Sequence, residues 1–237
     1  MNRSFQTAAL KDRLGAIHAC EVGREVITTA AEVDLRMRTL HEWFAGSTDP
    51  HGRDWSACLL PLLDVVMRGF ASGRISHLVW IGRRVFPYPL ALTRQDGLLC
   101  ASVFVDPPNA AARLWAIDLA LRTTTPTAVI ADGQGFTLAN TRRLQLAASA
   151  GRGICLLARP STESQILSAA TTRWRTETRP TSNTRVGWML TLLRNKDLPT
   201  LTDDVRAWAV EWNDGLVAVP TLVAGRAGDP QAWLASA

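Results

Sequence analysis

Residues 40–66 read LHEWFAGSTDPHGRDWSACLLPLLDVV and contain a short strand, a loop bracketed by Gly46 and Gly52, and an apolar helix. A glycine-containing loop between a strand and a helix is the layout of a phosphate-binding loop, whose backbone N–H groups face the phosphates at the helix N-terminus. The stretch therefore predicts either a nucleotide site or a connection that has lost this activity.

The loop departs from the working pattern G-x-x-x-x-G-K-[ST]. Gly46 and Gly52 are separated by five residues, Arg53 stands at the lysine position, and Asp54 stands at the hydroxyl position. The lysine normally contacts the β- and γ-phosphates, and the hydroxyl binds Mg²⁺. Asp54 places negative charge near the phosphates instead, and Pro50 lacks a backbone donor. The stretch predicts a degenerate P-loop, no nucleotide hydrolysis and no cofactor.

Apolar strands alternate with amphipathic helices along the middle of the chain. Strands are predicted at 39–44, 77–82, 97–106, 127–132 and 153–160, and helices at about 56–72, 107–123 and 137–151. This alternation predicts a mostly parallel sheet that is covered by helices on both faces. Strands at 172–178, 185–194 and 207–212 have no long helix between them, which predicts an antiparallel extension of the sheet.

Three regions are predicted. Residues 1–38 form a helical N-terminal extension with a short amphipathic helix over 5–17, residues 39–220 form the α/β domain, and residues 221–237 form a flexible tail.

Composition argues against a globally disordered chain and against a membrane-spanning segment. With 237 residues and 47% hydrophobic content the chain has a packed core, and no run approaches the ~18 apolar residues of a membrane span. The net charge is +5, and only Lys11 and Lys196 of the 26 basic residues are lysines. This arginine content is compatible with nucleic acid or an acidic partner, and equally with a codon bias toward arginine.

The four cysteines are far apart and form no C-x-x-C pair. They predict no metal site and a reducing, cytoplasmic environment. Cys58, Cys100 and Cys155 lie in apolar runs and are predicted to be buried.

The order of elements resembles a RecA-type core: a strand, a loop, a helix, further strand–helix units, a strand ending in Asp, and a β-rich end. The sequence most resembles the ImuA family, which are RecA-like and SulA-like partners of mutagenic DNA polymerases, over about residues 40–220. The stretches that carry this resemblance are LHEWFA (40–45), LVWIGRRVFPYPLAL (78–92), LWAIDLALRT (114–123), AVIADG (128–133), TRRLQLAASAG (141–151), TRWR (172–175), LLRNK (192–196) and WAVEWND (208–214).

The resemblance implies a RecA-like fold and a role in DNA-damage-induced mutagenesis. It implies a Y-family polymerase-like partner of the ImuB type, together with RecA and an error-prone DNA polymerase as further partners. It does not imply strong catalysis by this chain, and direct DNA binding stays open.

Asp132 occupies the Walker B-like position at the end of TAVIAD. We expect it to cap the turn that follows instead of binding a metal. RecA-type ATPases also place a water-polarising carboxylate at the end of the strand after the first helix. Here that strand ends in Gly82, Arg83 and Arg84, which argues against an enzyme.

Several basic residues are candidate partner or DNA contacts. Arg194 and Lys196 match positions that RecA filaments present to a neighbouring protomer. Arginines are interleaved with aromatic residues in RRVFPYPL (83–90) and in TTRWRT, where Arg173 and Arg175 flank Trp174. Such patterns bind single strands by phosphate contact and stacking. The alternative is a core Trp174 with a solvated basic face.

The remaining tryptophans are divided between core and loop. Trp80, Trp115, Trp188 and Trp208 lie in apolar runs and are predicted to be core residues. Trp43 and Trp55 flank the altered loop, and both are predicted to close over the empty nucleotide pocket.

Three functions stay open at this point. The first is a non-catalytic RecA-like adaptor, the second is a SulA-type division inhibitor that binds a tubulin-like GTPase, and the third is a weak DNA-dependent ATPase that uses Arg53.

Overall fold

The computed structural model describes residues 26–29, 34–45, 58–179, 186–197, 206–213 and 216–218. Within these ranges the strands are β1 (Val26–Thr28), β2 (Asp34–Arg36), β3 (Leu40–Ala45), β4 (His77–Ile81), β5 (Ser102–Val105), β6 (Thr127–Asp132), β7 (Ile154–Pro160), β8 (Thr172–Arg179), β9 (Gly187–Asn195), β10 (Arg206–Trp212) and β11 (Leu216–Ala218). The α-helices of the same ranges are α1 (Leu59–Ala71), α2 (Pro89–Leu92), α3 (Ala110–Leu121) and α4 (Leu138–Ala150).

Nine strands form one mixed sheet in the order β11-β10-β9-β8-β3-β7-β6-β4-β5. The pairs from β8 through β3, β7, β6 and β4 to β5 are parallel, and those from β8 through β9 and β10 to β11 are antiparallel. The predicted α/β class, the mostly parallel sheet and its antiparallel extension are therefore confirmed.

Successive residues of a strand point to opposite faces of the sheet, and in the parallel strands the residues on both faces are apolar. Helices therefore cover both faces of this part of the sheet. On one face, α1 packs through Leu62 and Val66 onto a core that includes Trp80 and Trp174. On the other face, a second core contains residues of α3 and α4, for example Ile117 and Leu144, with Val129 and Leu157 of the sheet.

Local sequence explains where the helices begin. Pro61 lies in the first turn of α1, where its missing N–H costs no helical hydrogen bond. Asn109 caps α3 by accepting from the Ala112 N–H at 2.9 Å. Thr137 and Asn140 form a capping box at the start of α4. These starts agree with the predicted helices to within a few residues.

Two predictions of burial are wrong. Trp115 is 60% exposed, because on a helix it points about 200° away from the buried Ile117. Cys100 is exposed because it lies in the turn before β5, not in the strand. Cys155 is buried as predicted, and Cys58 is half-buried at the start of α1, where burial raises the pKa of its thiol to about 12.

The predicted helical extension is wrong for its last part, because β1 and β2 pair as an antiparallel hairpin. Leu35 of this hairpin is fully buried in the core that α1 covers, and Thr28 Oγ1 donates to Asp34 Oδ1 at 2.7 Å. The helix predicted over 5–17 and the tail predicted over 221–237 lie outside the described residues.

A buried hydrogen-bond chain connects β3, β8 and the end of β2. Trp174 Nε1–H donates to Thr172 Oγ1 at 2.9 Å, and Thr172 Oγ1 lies 2.8 Å from His41 Nδ1. His41 Nε2 lies 3.0 Å from the Arg36 carbonyl oxygen, which can only accept. The ring is therefore assigned as the neutral Nε2–H tautomer, and its burial lowers the pKa of His41 to about 4.

Acid should destabilise the protein through His41. Between pH 6.5 and about 4, the unfolded chain binds a proton at this residue that the folded chain does not, so stability falls as pH falls. The free energy of unfolding lost over this whole pH range is about 3 kcal/mol. We expect His41→Gln to remove this component from urea unfolding curves measured between pH 7 and pH 4. An exposed histidine variant, His77→Gln, is the control, and an equal change in both variants would contradict this assignment.

Candidate functional site at the carboxyl edge of the sheet

The position of the altered loop is defined by the elements on either side of it. Strand β3 lies between β7 and β8 and is parallel to both, so residues 46–57 connect the carboxyl end of a central strand to α1. Ligands of parallel α/β sheets bind outside the carboxyl ends of such strands. Gly46, Gly52, Arg53 and Asp54, which are predicted to form a degenerate P-loop, lie outside the described residues.

Asp132 ends β6 at the same edge and is 2% exposed. Its Oδ1 accepts from the Gln134 N–H at 2.9 Å, which confirms the predicted capping of the following turn. Its Oδ2 lies 3.3 Å from Arg84 Nη1 and 3.6 Å from Arg113 Nη1. The carboxylate is thus engaged by one backbone donor and two guanidinium groups.

This arrangement differs from that of a magnesium site. Mg²⁺ requires anionic oxygens that are free to coordinate it, and it keeps several waters in an octahedral shell. Arg84 and Arg113 place positive charge beside Oδ2 of Asp132. The site is therefore chemically suited to an internal ion pair.

Gly82 follows β4, at the position where the resemblance to RecA-type ATPases predicts a hydrolytic carboxylate. Its φ is +94°, and a Cβ added there would lie 3.0 Å from the Asp132 Cβ. Both facts favour glycine, because L residues rarely adopt this conformation and a side chain would push against β6. The following Arg83 forms an exposed ion pair with Asp106 at 2.6 Å.

A second cluster of charges is buried beside the first. Glu42 of β3 is fully buried, and its two oxygens lie 2.7 Å from Arg159 Nη1 and 2.7 Å from Arg173 Nε. Arg159 is also fully buried, and its Nη2 lies 2.7 Å from Glu163 Oε2. We call Glu42, Arg159, Glu163 and Arg173 the buried quartet; its formal charges cancel.

The turn after β6 joins the two clusters. Arg113 Nη2 donates to the Gln134 carbonyl at 2.8 Å, and Arg159 Nη2 donates to the Phe136 carbonyl at 2.8 Å. Between them, the Gly135 N–H donates to Glu163 Oε1 at 2.9 Å. Three side chains from different parts of the chain thus hold residues 134–136 in one conformation.

The segment between β7 and β8 is held in the same way. Ser168 Oγ donates to Glu42 Oε1 at 2.8 Å, and Arg173 Nη2 donates to the Ile166 carbonyl at 3.0 Å. Arg194 Nη1 donates to the Ser168 carbonyl at 3.3 Å, and Lys196 Nζ donates to the Ala169 carbonyl. We call residues 161–171 the anchored loop. Its backbone is ordered by these contacts, while the Ile166 and Leu167 side chains are exposed.

The predicted basic contacts therefore differ in their surroundings. The solvated basic face predicted for β8 is wrong at Arg173, which is 8% exposed, pairs with Glu42 and lies over the Phe44 ring. Arg175 is half-buried, whereas Arg194 and Lys196 are exposed beside the anchored loop. Partial burial and the nearby Arg194 lower the pKa of Lys196. A role for Arg83, Arg84, Arg175, Arg194 and Lys196 in binding a partner or DNA stays a prediction.

Trp43 is a core residue, which differs from its predicted place over the nucleotide pocket, and Trp55 lies outside the described residues. Trp43 is 2% exposed and stacks on Trp174, with ring centroids 5.3 Å apart. Trp174, Trp80 and Trp188 are core residues as predicted, and Trp208 packs partly buried against the same core.

Sequence reasoning missed Glu42, Arg159 and Glu163. A signal was present: the apolar strands LHEWFA and ICLLARP each contain one charged residue, and these charges are of opposite sign. A charge in a strand that is buried on both faces requires a partner. Neighbouring strands are the nearest source of one.

No model of a known protein family matches this chain, and no curated protein matches it significantly.

Among the described residues, no cluster of three or more His, Cys, Asp or Glu side chains could hold a metal ion. None of the helices in these ranges is long and apolar enough to cross a membrane.

Proposed function

We propose that this protein is a non-catalytic, RecA-like adaptor of the ImuA type. It acts in DNA-damage-induced mutagenesis in the cytoplasm by binding a Y-family polymerase-like protein, with RecA and an error-prone DNA polymerase as further partners. The order of elements supports this proposal: β3, a loop and α1 are followed by further strand–helix units, by β6 ending in Asp132, and by antiparallel strands at the C-terminal end.

The observation that carries the proposal is the environment of Asp132. A RecA-type NTPase uses the corresponding carboxylate near Mg²⁺, and it uses a second carboxylate to activate water. Here Asp132 contacts Arg84 and Arg113, and Gly82 stands at the second position. The framework of a nucleotide-binding core is retained while its charges are satisfied internally.

The anchored loop supports a role in binding. RecA carries a long mobile DNA-binding loop before the matching strand, whereas the segment here is short and held by Arg173, Arg194 and Lys196. A rigid loop loses little conformational entropy when a partner binds. It presents two exposed apolar residues, Ile166 and Leu167, beside exposed basic side chains.

A pull-down tests this function: each partner protein is immobilised, and retention of this chain is measured with all proteins free of DNA. We expect the wild-type chain to be retained by the polymerase-like protein and by RecA. Arg194→Glu should reduce retention on RecA because it reverses a charge beside the anchored loop. Arg152→Glu makes the same charge change at the opposite edge of the sheet and should retain wild-type binding. No retention on either partner would overturn the adaptor assignment.

Nucleotide binding separates the adaptor from the weak ATPase. Equilibrium titration of the wild-type chain and of Arg53→Ala with labelled ATP and Mg²⁺ should give the same result, with no binding that depends on Arg53 at the micromolar to millimolar concentrations at which nucleotide-using enzymes operate. Tight binding that Arg53→Ala abolishes would instead support the ATPase.

A further inference from the structure

An arginine-lined cleft lies at the opposite edge of the sheet, where the parallel strands begin. It has a volume of about 340 Å³ and is lined by Met37, Arg38, Ser72, Gly73, Arg74, Pro126 and Arg152. These residues precede β3, β4, β6 and β7, so the cleft is built by the turns that enter four neighbouring strands. The lining contains three arginines and no carboxylate.

Arg38 is held firmly at this cleft. Its backbone adopts φ +62°, which is uncommon for a residue with a side chain. Its N–H donates to the Gly153 carbonyl at 2.8 Å, and its Nε and Nη2 donate to the Gly151 and Ser149 carbonyls at 3.1 and 2.8 Å. A guanidinium carries five N–H donors, so donors remain after these two side-chain contacts.

The helix ends at this edge do not use the charge of the Arg152 guanidinium. At the end of α1, the carbonyls of Arg68, Gly69 and Phe70 already accept from backbone N–H groups and from the Ser72 hydroxyl. At the end of α4, Arg38 supplies the donors. The Arg152 guanidinium is exposed and has no hydrogen bond or ion pair with any described residue. Its charge is available to a ligand.

We propose that this cleft binds a phosphate group carried by a nucleotide or a nucleic-acid strand. A phosphate presents several acceptor oxygens in different directions, so guanidinium groups on different turns can contact it together. A carboxylate presents only two oxygens in one plane, so it matches guanidinium groups from several directions less well than a phosphate does. The volume is at the lower end of the ~300–1,000 Å³ of ligand sites, which suits one phosphate with its sugar, and Met37 and Pro126 provide apolar walls.

The test is fluorescence anisotropy of the full chain with a short labelled oligothymidylate, at several salt concentrations. Arg152→Glu should weaken binding about tenfold to a hundredfold, because it removes a charge-assisted contact and adds repulsion. It should also reduce the slope of log affinity against log salt by about 1. Arg142→Glu is the matched control, since Arg142 is an exposed arginine of the same chain near the start of α4; it should change affinity less than twofold.

Competition with thymidine monophosphate, inorganic phosphate and polyglutamate identifies the ligand. Displacement by the first two, lost in Arg152→Glu, supports a phosphate subsite that accepts small ligands. Binding of the oligonucleotide without such displacement supports a site for a strand. Equal binding of polyglutamate, equal weakening by both charge reversals, or no binding at all would overturn the proposal. The titration contains no protein partner, so it can fail independently of the adaptor function.

Discussion

Replacing Arg159 by methionine is expected to lower the free energy of unfolding by about 3–5 kcal/mol, the loss typical when one partner of a buried ion pair is removed. Arg159 and Glu42 are both fully buried, so the variant leaves a carboxylate in the core with one cation fewer. It also removes the donor to the Phe136 carbonyl, which loosens the turn after β6. Urea denaturation at pH 7 measures the loss.

The matched control is Arg83→Met, which breaks an ion pair of similar length in solvent. Arg83 lies 2.6 Å from Asp106, but its side chain is 83% exposed, and such pairs contribute about 0–1 kcal/mol. If both variants lost the same free energy of unfolding, the buried quartet would contribute no more to stability than a solvent-exposed ion pair.

The double variant Arg159→Met/Glu42→Gln examines the quartet as a unit. If the cost of Arg159→Met comes from the unpaired Glu42 carboxylate, removing that charge should recover part of the lost stability. Groups in direct contact typically show coupling of about 0.5–3 kcal/mol. Strict additivity of the two single variants would count against a coupled network.

Replacing Trp174 by alanine is expected to cost about 3–5 kcal/mol, as for other buried tryptophans. Trp174 is fully buried and stacks on Trp43 at 5.3 Å. It also lies 5.9 Å from the Trp208 ring and donates to Thr172 in the chain that ends at His41. Its removal leaves a cavity between β3 and β10 and breaks this chain at its first donor.

Trp115→Ala is the control for Trp174→Ala, since Trp115 is 60% exposed on α3. We expect it to change stability by no more than about 0.5 kcal/mol, as for most surface substitutions. Trp174→Phe retains part of the volume and loses the N–H donor, so its loss should be smaller than that of the alanine variant. A loss for Trp115→Ala as large as for Trp174→Ala would contradict the observed packing.

Most of the elements could be predicted because they depend on local patterns. The strand TAVIAD was predicted over 127–132 and is β6 with the same bounds. The switch from parallel to antiparallel strands followed from the loss of intervening helices after residue 160. Burial of single residues was less predictable, as Trp115 and Cys100 illustrate, because it depends on which side of an element meets a neighbour.

The candidate site likewise has some features that the sequence predicted and others that only the tertiary structure shows. Periodicity and turn chemistry are local, so the residues alone were enough to predict the strand ending in Asp132, its turn-capping role and the departures from a working P-loop. The pairing of Glu42 with Arg159 and Arg173 joins positions more than a hundred residues apart. Such contacts follow from the order and register of β3, β7 and β8, which many sequences with the same local patterns could arrange differently. The arginine-lined cleft has the same origin, because turns distant in the chain meet only where parallel strands begin at one edge.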